Sequence, residues 1–224
     1  MNTKTLFSAT ILTAVAAFSA VPAQADVDIG ADLMSRYIWR GTDFGDAVSI
    51  QPAISYTNGP IEVGAWASYP ITSALGFGDE GALESAGANE NDLYITYSTG
   101  PIGVTLTDYY FPQSGDVFNY EDEDGIHLLE ISATYEAGPL SLMAGFFFWG
   151  DSEDSYYGEV SYSLVADDEI DVSLTGAFGN GAYTTDNDPN VVVAAINVAK
   201  GEYMASYILN PEAETNFLVF GRSF

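Results

Sequence analysis

The sequence predicts an all-β chain closed into an antiparallel, up-and-down transmembrane β-barrel of about twelve strands, with ten or fourteen as the neighbouring counts. Three features carry this expectation. The chain falls into short stretches that alternate apolar and polar residues, each stopped by turn formers. The connections between stretches alternate between short and long. The last stretch, Thr215-Asn216-Phe217-Leu218-Val219-Phe220-Gly221-Arg222-Ser223-Phe224, stops on an aromatic. A period of two sends successive side chains to opposite faces, so one set meets lipid and the other lines a lumen.

Residues 1–25 stand apart from this pattern. Lys4 precedes an apolar stretch, 6–21, rich in Ala, Ser and Thr, and Ala23-Gln24-Ala25 is a small-x-small cleavage site. This is the pattern of a secretory signal peptide, which leaves residues 26–224 as the barrel domain. No later stretch is continuously apolar over the ~18 residues a spanning helix needs. Hydrophobic residues nevertheless make up 47% of the chain, with 15 Tyr, 13 Phe and 3 Trp. Split into short pieces, that content suits a wall facing lipid, with aromatic girdles at both membrane edges. There is no cysteine, so closure of the sheet or the size of the domain, not cross-linking, must hold the fold.

The alternation first appears over 27–39. Val27, Ile29, Ala31, Leu33, Tyr37 and Trp39 form the lipid-facing set; Asp28, Asp32, Arg36 and Arg40 form the lumen set. The next stretch, 48–56, contains Pro52, which lacks a ladder donor and predicts a bulge or a register adjustment. Stretches follow at 61–69, 92–98 and 102–111, and in the last of these the parity slips at Asp108, predicting a second bulge. The remaining stretches are 126–136, 140–149, 156–164, 170–178, 191–200, 203–209 and the terminal one. Gly59-Pro60, Gly100-Pro101 and Gly138-Pro139 are tight turns, as are 167–169 and Gly201-Glu202. The stretches 70–90 and 112–125 are long and acidic.

Short turns on one rim and long loops on the other is the outer-membrane layout, with the short turns on the periplasmic side. An even strand count puts both chain ends on that side. The terminal stretch must then pair with the first, since lipid tolerates no open sheet edge. Leu218, Phe220, Arg222 and Phe224 share the outward face, and Arg222 lies close enough to the end for its guanidinium to reach water. Phe224 itself looks like the sorting signal read by the outer-membrane assembly machinery.

The formal charge is −27, from 32 acidic and 5 basic residues. A nucleic-acid partner is excluded, because it requires a basic stripe. Cations will gather at such a surface. With one histidine and no cysteine, neither a transition-metal site nor a cofactor is expected. Asp116 and the Glu121-Asp122-Glu123-Asp124 run lack the alternating ligand spacing of a calcium loop, and a solvated loop is the expectation.

The run Ser35-Arg36-Tyr37-Ile38-Trp39-Arg40-Gly41, followed by Gln51-Pro52, resembles the opening signature of the TorF-type porin family of proteobacteria. Trp66-Ala67-Ser68, Asp92-Leu93-Tyr94 and Asp108-Tyr109-Tyr110-Phe111-Pro112 fall where that family has similar motifs, so the resemblance covers most of residues 26–224. It implies an outer-membrane barrel with a passive transport role and no catalytic residues. The long acidic loops and the scarcity of lysine depart from it, so it does not carry over a selectivity.

Candidate functional residues are few. Arg36 and Arg40, placed inward, would face lumen carboxylates such as Glu62, Glu130 and Glu159. Opposed charges of this kind make a selective constriction, or an ion-pair network that fills the lumen and pins strands together. His127 has Leu129 two residues on, where a barrel phospholipase carries a serine; no nucleophile–base pair is visible and no enzymatic activity is expected. The expected function is a porin-like channel for passive diffusion of small hydrophilic solutes, favouring cations, with outer-membrane lipids and the assembly machinery as partners. The alternative is a non-conducting surface barrel whose acidic loops bind partners or divalent cations.

Overall fold

The structure is a computed structural model that describes residues 25–71, 89–112, 115–122, 126–166 and 170–224. The expected signal peptide, except Ala25, and the turn at 167–169 lie outside the described residues, as do 72–88 of the first long acidic stretch.

In chain order the strands are β1 (Asp26–Met34), β2 (Ile38–Trp39), β3 (Thr42–Asp43), β4 (Ser49–Asn58), β5 (Ile61–Pro70), β6 (Glu90–Thr99) and β7 (Ile102–Tyr110). They continue with β8 (His127–Ala137), β9 (Leu140–Trp149), β10 (Tyr156–Ala166), β11 (Asp171–Gly179), β12 (Asn190–Lys200), β13 (Tyr203–Asn210) and β14 (Thr215–Ser223). Twelve of them, β1 and β4 to β14, close into one antiparallel barrel in meander order; β2 and β3 form a separate small hairpin. The predicted fold class and strand count are both observed.

The period of two decides which side chains face out. Val27, Ile29 and Leu33 on β1, Ile50 and Ile54 on β4, Leu93 and Ile95 on β6, and Leu218 and Phe220 on β14 are all exposed. The same holds around the whole wall, which makes a continuous apolar belt. A belt of that extent on a protein in water would be an association surface; against acyl chains it is matched. Arg222 follows the same outward parity. It lies over the rings of Tyr203 and Phe224, 5.5 and 4.7 Å from their centroids, and pairs with Glu202 at 3.0 Å.

The seam between β1 and β14 is short: Asp32 opposes Ser223, Leu33 opposes Arg222 and Met34 opposes Gly221. Backbone bonds extend it at both ends. Ala31 and Phe224 exchange N–H···O bonds of 3.4 and 2.9 Å, and Ser35 N–H donates to the Phe220 carbonyl at 2.8 Å. The Ser35 hydroxyl accepts from Phe220 N–H at 2.9 Å. The terminal aromatic is therefore also a rung of the closing ladder.

Short turns share one rim. Gly59, Gly100 and Gly138 have φ of 60°, 58° and 60°. Proline in second place holds φ negative there, so these are two-residue hairpin turns of the type that needs glycine first. The connections on the opposite rim are the longer ones.

Three expectations of register are corrected. The stretch 27–39 is not one strand: β1 ends at Met34 and the chain leaves the wall. Pro52 causes neither bulge nor shift; β4 and β5 keep register from Ile50↔Tyr69 to Ala53↔Trp66, with the ladder interrupted between them. Asp108 is not bulged: β7 stays in register with both neighbours from Ile102 to Tyr110, and Asp108 occupies an outward position. Bulges occur at Leu129/Glu130, Ser163/Val165 and Ala177/Phe178 instead.

Candidate functional site

After β1 the chain turns into the lumen. Ile38–Trp39 and Thr42–Asp43 pair across a two-residue turn, Arg40-Gly41, whose φ values are 50° and 82°. Positive φ at both positions is the tight turn that matches strand twist. Gly41 is needed twice over, because a Cβ there would lie 2.3 Å from the Val192 carbonyl oxygen. Phe44 N–H donates to the Tyr37 carbonyl at 3.0 Å and lengthens the hairpin by one pair.

Tyr37, Ile38, Trp39 and Arg40 are all buried. Tyr37 and Trp39, expected against lipid, face the inside because their segment is not part of the wall. Trp39 is the centre of an aromatic cluster, with ring centroids 5.9 Å from Phe44, 5.4 Å from Tyr109, 6.4 Å from Phe147 and 5.6 Å from Tyr183. Tyr37 packs on Trp66 of β5 at 5.5 Å. A water-lined channel would present polar groups here; this half of the lumen is filled like a domain core.

Arg40 anchors the tip. Its guanidinium grips Glu130 with both terminal nitrogens; the Nη2–Oε1 bond is 2.8 Å, and Nη1 binds Oε2. Nη1 also donates to the Tyr183 hydroxyl at 2.5 Å. Three rings flank it: Trp39 at 4.5 Å, Tyr157 at 4.6 Å and Tyr183 at 5.6 Å. Such a fork-to-fork pair, stacked on aromatics, is an arrangement lysine cannot reproduce. Asn210 of β13 completes the seat by donating from Nδ2 to the Gly41 carbonyl at 3.1 Å. Glu130 is on β8 and Tyr157 on β10, which lie across the ring from β1. The hairpin therefore crosses the whole lumen.

The five residues singled out as a constriction separate. Arg40, Glu130 and Glu159 come together: Glu159 accepts from the Tyr157 hydroxyl at 2.7 Å, beside the guanidinium. Arg36 does not point at them. It lies where the chain leaves β1, pairs with Asp43 and Asp46, and sits 5.3 Å from the Phe217 ring. The Asp43 hydrogen bond holds that guanidinium above its ordinary pKa. Glu62 faces the lumen but near the short-turn rim, where Tyr94 donates to it at 2.9 Å and Thr57 at 3.3 Å. That half of the lumen is polar: Thr96 bonds Thr105 and Ser161 bonds Thr175, each at 2.8 Å, and Ser141 donates to Glu136 at 2.7 Å. In the sequence Tyr183 and Asn210 read as ordinary loop and strand-end positions, Tyr157 as a girdle aromatic beside a loop, and Tyr109 stands out only within the motif Asp108-Tyr109-Tyr110-Phe111-Pro112.

His127 has a different setting. Its ring is stacked between Tyr110 and Tyr120, 4.9 and 3.7 Å away, Nδ1 is 2.7 Å from Asp108 Oδ1, and Nε2 is 2.9 Å from the Val117 carbonyl. Tyr120 donates to Asp108 at 2.7 Å, which pushes its own pKa up to about 12 and keeps it a donor. Trp149 donates to the Tyr120 carbonyl at 3.1 Å. The acidic loop after β7 is thus clamped to the barrel at its outward-facing His127. Tyr120→Ala is expected to expose that loop to protease while the barrel core stays resistant; a wild-type cleavage rate would show that the clamp does not hold the loop. Among the described residues no group of three His, Cys, Asp or Glu side chains is placed to hold a metal ion.

Fold and site together define a closed twelve-stranded barrel with an apolar belt and a hairpin locked across its lumen. No protein-family model matches the sequence, and no curated protein matches it. Solved structures are similar to the chain. A chain from the structure described as "Unveiling the Mechanism Behind the in-meso Crystallization of Membrane Proteins" is similar at 12% identity and a TM-score of 0.51, over 90% of this chain and 83% of that one. A triple mutant of the Rhodopseudomonas blastica porin is 14% identical, with a TM-score of 0.37 over 90% of this chain and 99% of the porin.

Proposed function

We propose that this protein is a porin-like channel of a bacterial outer membrane, that it passes small hydrophilic solutes by diffusion with a bias toward cations, and that the Tyr37–Phe44 hairpin is its constriction. The observation that carries the reading is the charge of the lumen. Glu62, Glu130, Glu136 and Glu159 face it, while Arg40 is already matched by Glu130. Unmatched carboxylates in a narrow, low-dielectric passage favour cations and oppose anions. A TorF-type relationship belongs to the same reading and rests on the resemblance of the motifs, of whose residues Tyr37, Trp39, Trp66 and Tyr109 lie in one buried cluster with Arg40 over Trp39. Barrel location and orientation, with long loops outside and small solutes, lipid and the assembly machinery as partners, are part of the same reading. It assigns no catalysis, since both ring nitrogens of His127 are engaged.

Planar-bilayer recording of the purified protein across a potassium chloride gradient tests this. Discrete steps are expected, with a reversal potential on the cation side; an anion-side potential would reject the bias. A second reading, a non-conducting surface barrel, is favoured by one observation, the dry aromatic packing around Trp39. Silence in wild type and in a variant with the hairpin released would select it. Removing Phe224 is expected to lower the amount of heat-modifiable barrel in outer-membrane fractions; normal levels would deprive it of the assembly role.

A further inference from the structure

Glu90 and Asp92 lie two residues apart on β6, so both enter the lumen on the same side. They are 1% and 3% exposed. Arg40 gives them no ion pair, being held by Glu130. Glu90 interacts electrostatically with Asp92 and with the Tyr37 hydroxyl, which comes from the base of the hairpin. Yet Glu90 Oε2, Asp92 Oδ1 and Tyr37 Oη are all buried and none has a well-formed hydrogen bond among the described residues. Tyr37 is 6% exposed and is seated by Trp66 and Phe44, so its hydroxyl is fixed in place against the pair. Ser68, directly opposite Glu90, is also buried.

Two adjacent carboxylates cannot both ionise in a dry site without a counter-charge. One shared proton would relieve the repulsion. It would bridge Glu90 and Asp92, however, and the Tyr37 hydroxyl, which carries its own hydrogen but bonds neither carboxylate, would stay unpartnered, which is costly for a buried polar atom. A cation accepts oxygen ligands from several directions and satisfies all three at once. The donor set has two carboxylates and a phenol, with no imidazole, thiolate or third carboxylate. That is poor for a transition metal and sparse for calcium, which takes 6–8 oxygens.

We propose that Glu90, Asp92 and Tyr37 form a binding site for a small monovalent cation of sodium size, which ties the base of the hairpin to β6 as Arg40 ties its tip to β8. The site stands whether or not the barrel conducts, so its test does not use conductance. The heat-unfolding midpoint of the detergent-solubilised protein is compared in sodium chloride and in choline chloride at equal ionic strength. Wild type is expected to unfold several degrees higher in sodium. Tyr37→Phe, which keeps the ring, should shrink that difference, and Glu90→Gln with Asp92→Asn should abolish it. Crystals soaked in thallium(I) should show an anomalous peak between the three oxygens, which decides the matter if the double variant does not fold. Equal wild-type midpoints in the two salts, or no thallium peak, would leave a shared proton as the explanation and overturn the cation site.

Discussion

Arg40→Ala is expected to free the hairpin tip and raise single-channel conductance above wild type, while lowering the stability of the folded barrel by about 3–5 kcal/mol. The magnitude follows from what remains. Glu130, 1% exposed, would be left in a dry lumen without its charge partner, and Tyr183 would lose its donor. Arg40→Lys keeps the charge but cannot grip both carboxylate oxygens, so it should fall between the two. Arg36→Ala is the contrast. Its pairs with Asp43 and Asp46 are partly solvated, and exposed pairs contribute at most ~1 kcal/mol. Conductance should hardly respond. If Arg40→Ala conducts like wild type at an unchanged unfolding midpoint, the hairpin is not held by this pair.

Trp39→Ala should cost a similar ~3–5 kcal/mol, for a different reason: loss of a large buried ring and the cavity it leaves. Phe44, Tyr109, Phe147 and Tyr183 all pack on that ring and cannot collapse together, because three of them come from the wall or its loops. Trp39→Phe should be far milder. The indole N–H makes no hydrogen bond among the described residues, so only volume is lost. Denaturation midpoints of the two variants in detergent test this. Equal midpoints would mean that the cluster does not stabilise the barrel.

Much of the wall was legible because lipid imposes a strict local rule. Most lipid-facing strand positions are apolar and every backbone group must be paired, so the period of two is written plainly along the chain. The Gly-Pro turns were legible for a similar reason: few residues accept positive φ followed by fixed negative φ. The same rule produced the main errors. Tyr37 and Trp39 continue the parity of β1, and an aromatic suits a membrane girdle and a packed lumen equally well. Asp108 broke the parity and predicted a bulge, whereas it is an outward carboxylate satisfied by His127 and Tyr120. Leu129/Glu130 and Ala177/Phe178, which do carry bulges, show no such break.

The barrel is written in the sequence: the two faces, the alternation of turns and loops, closure through the terminal strand and a count of about twelve strands, which the structure makes twelve. Each depends on residues within about ten positions of one another, or on the membrane as solvent. The filled lumen was decided only in three dimensions. Arg40 meets Glu130 at a separation of 90 residues, Tyr183 at 143, and Asn210 meets Gly41 at 169. No local period encodes those meetings; they arise when closure brings β8, β10 and β13 around a hairpin that leaves the wall after Met34.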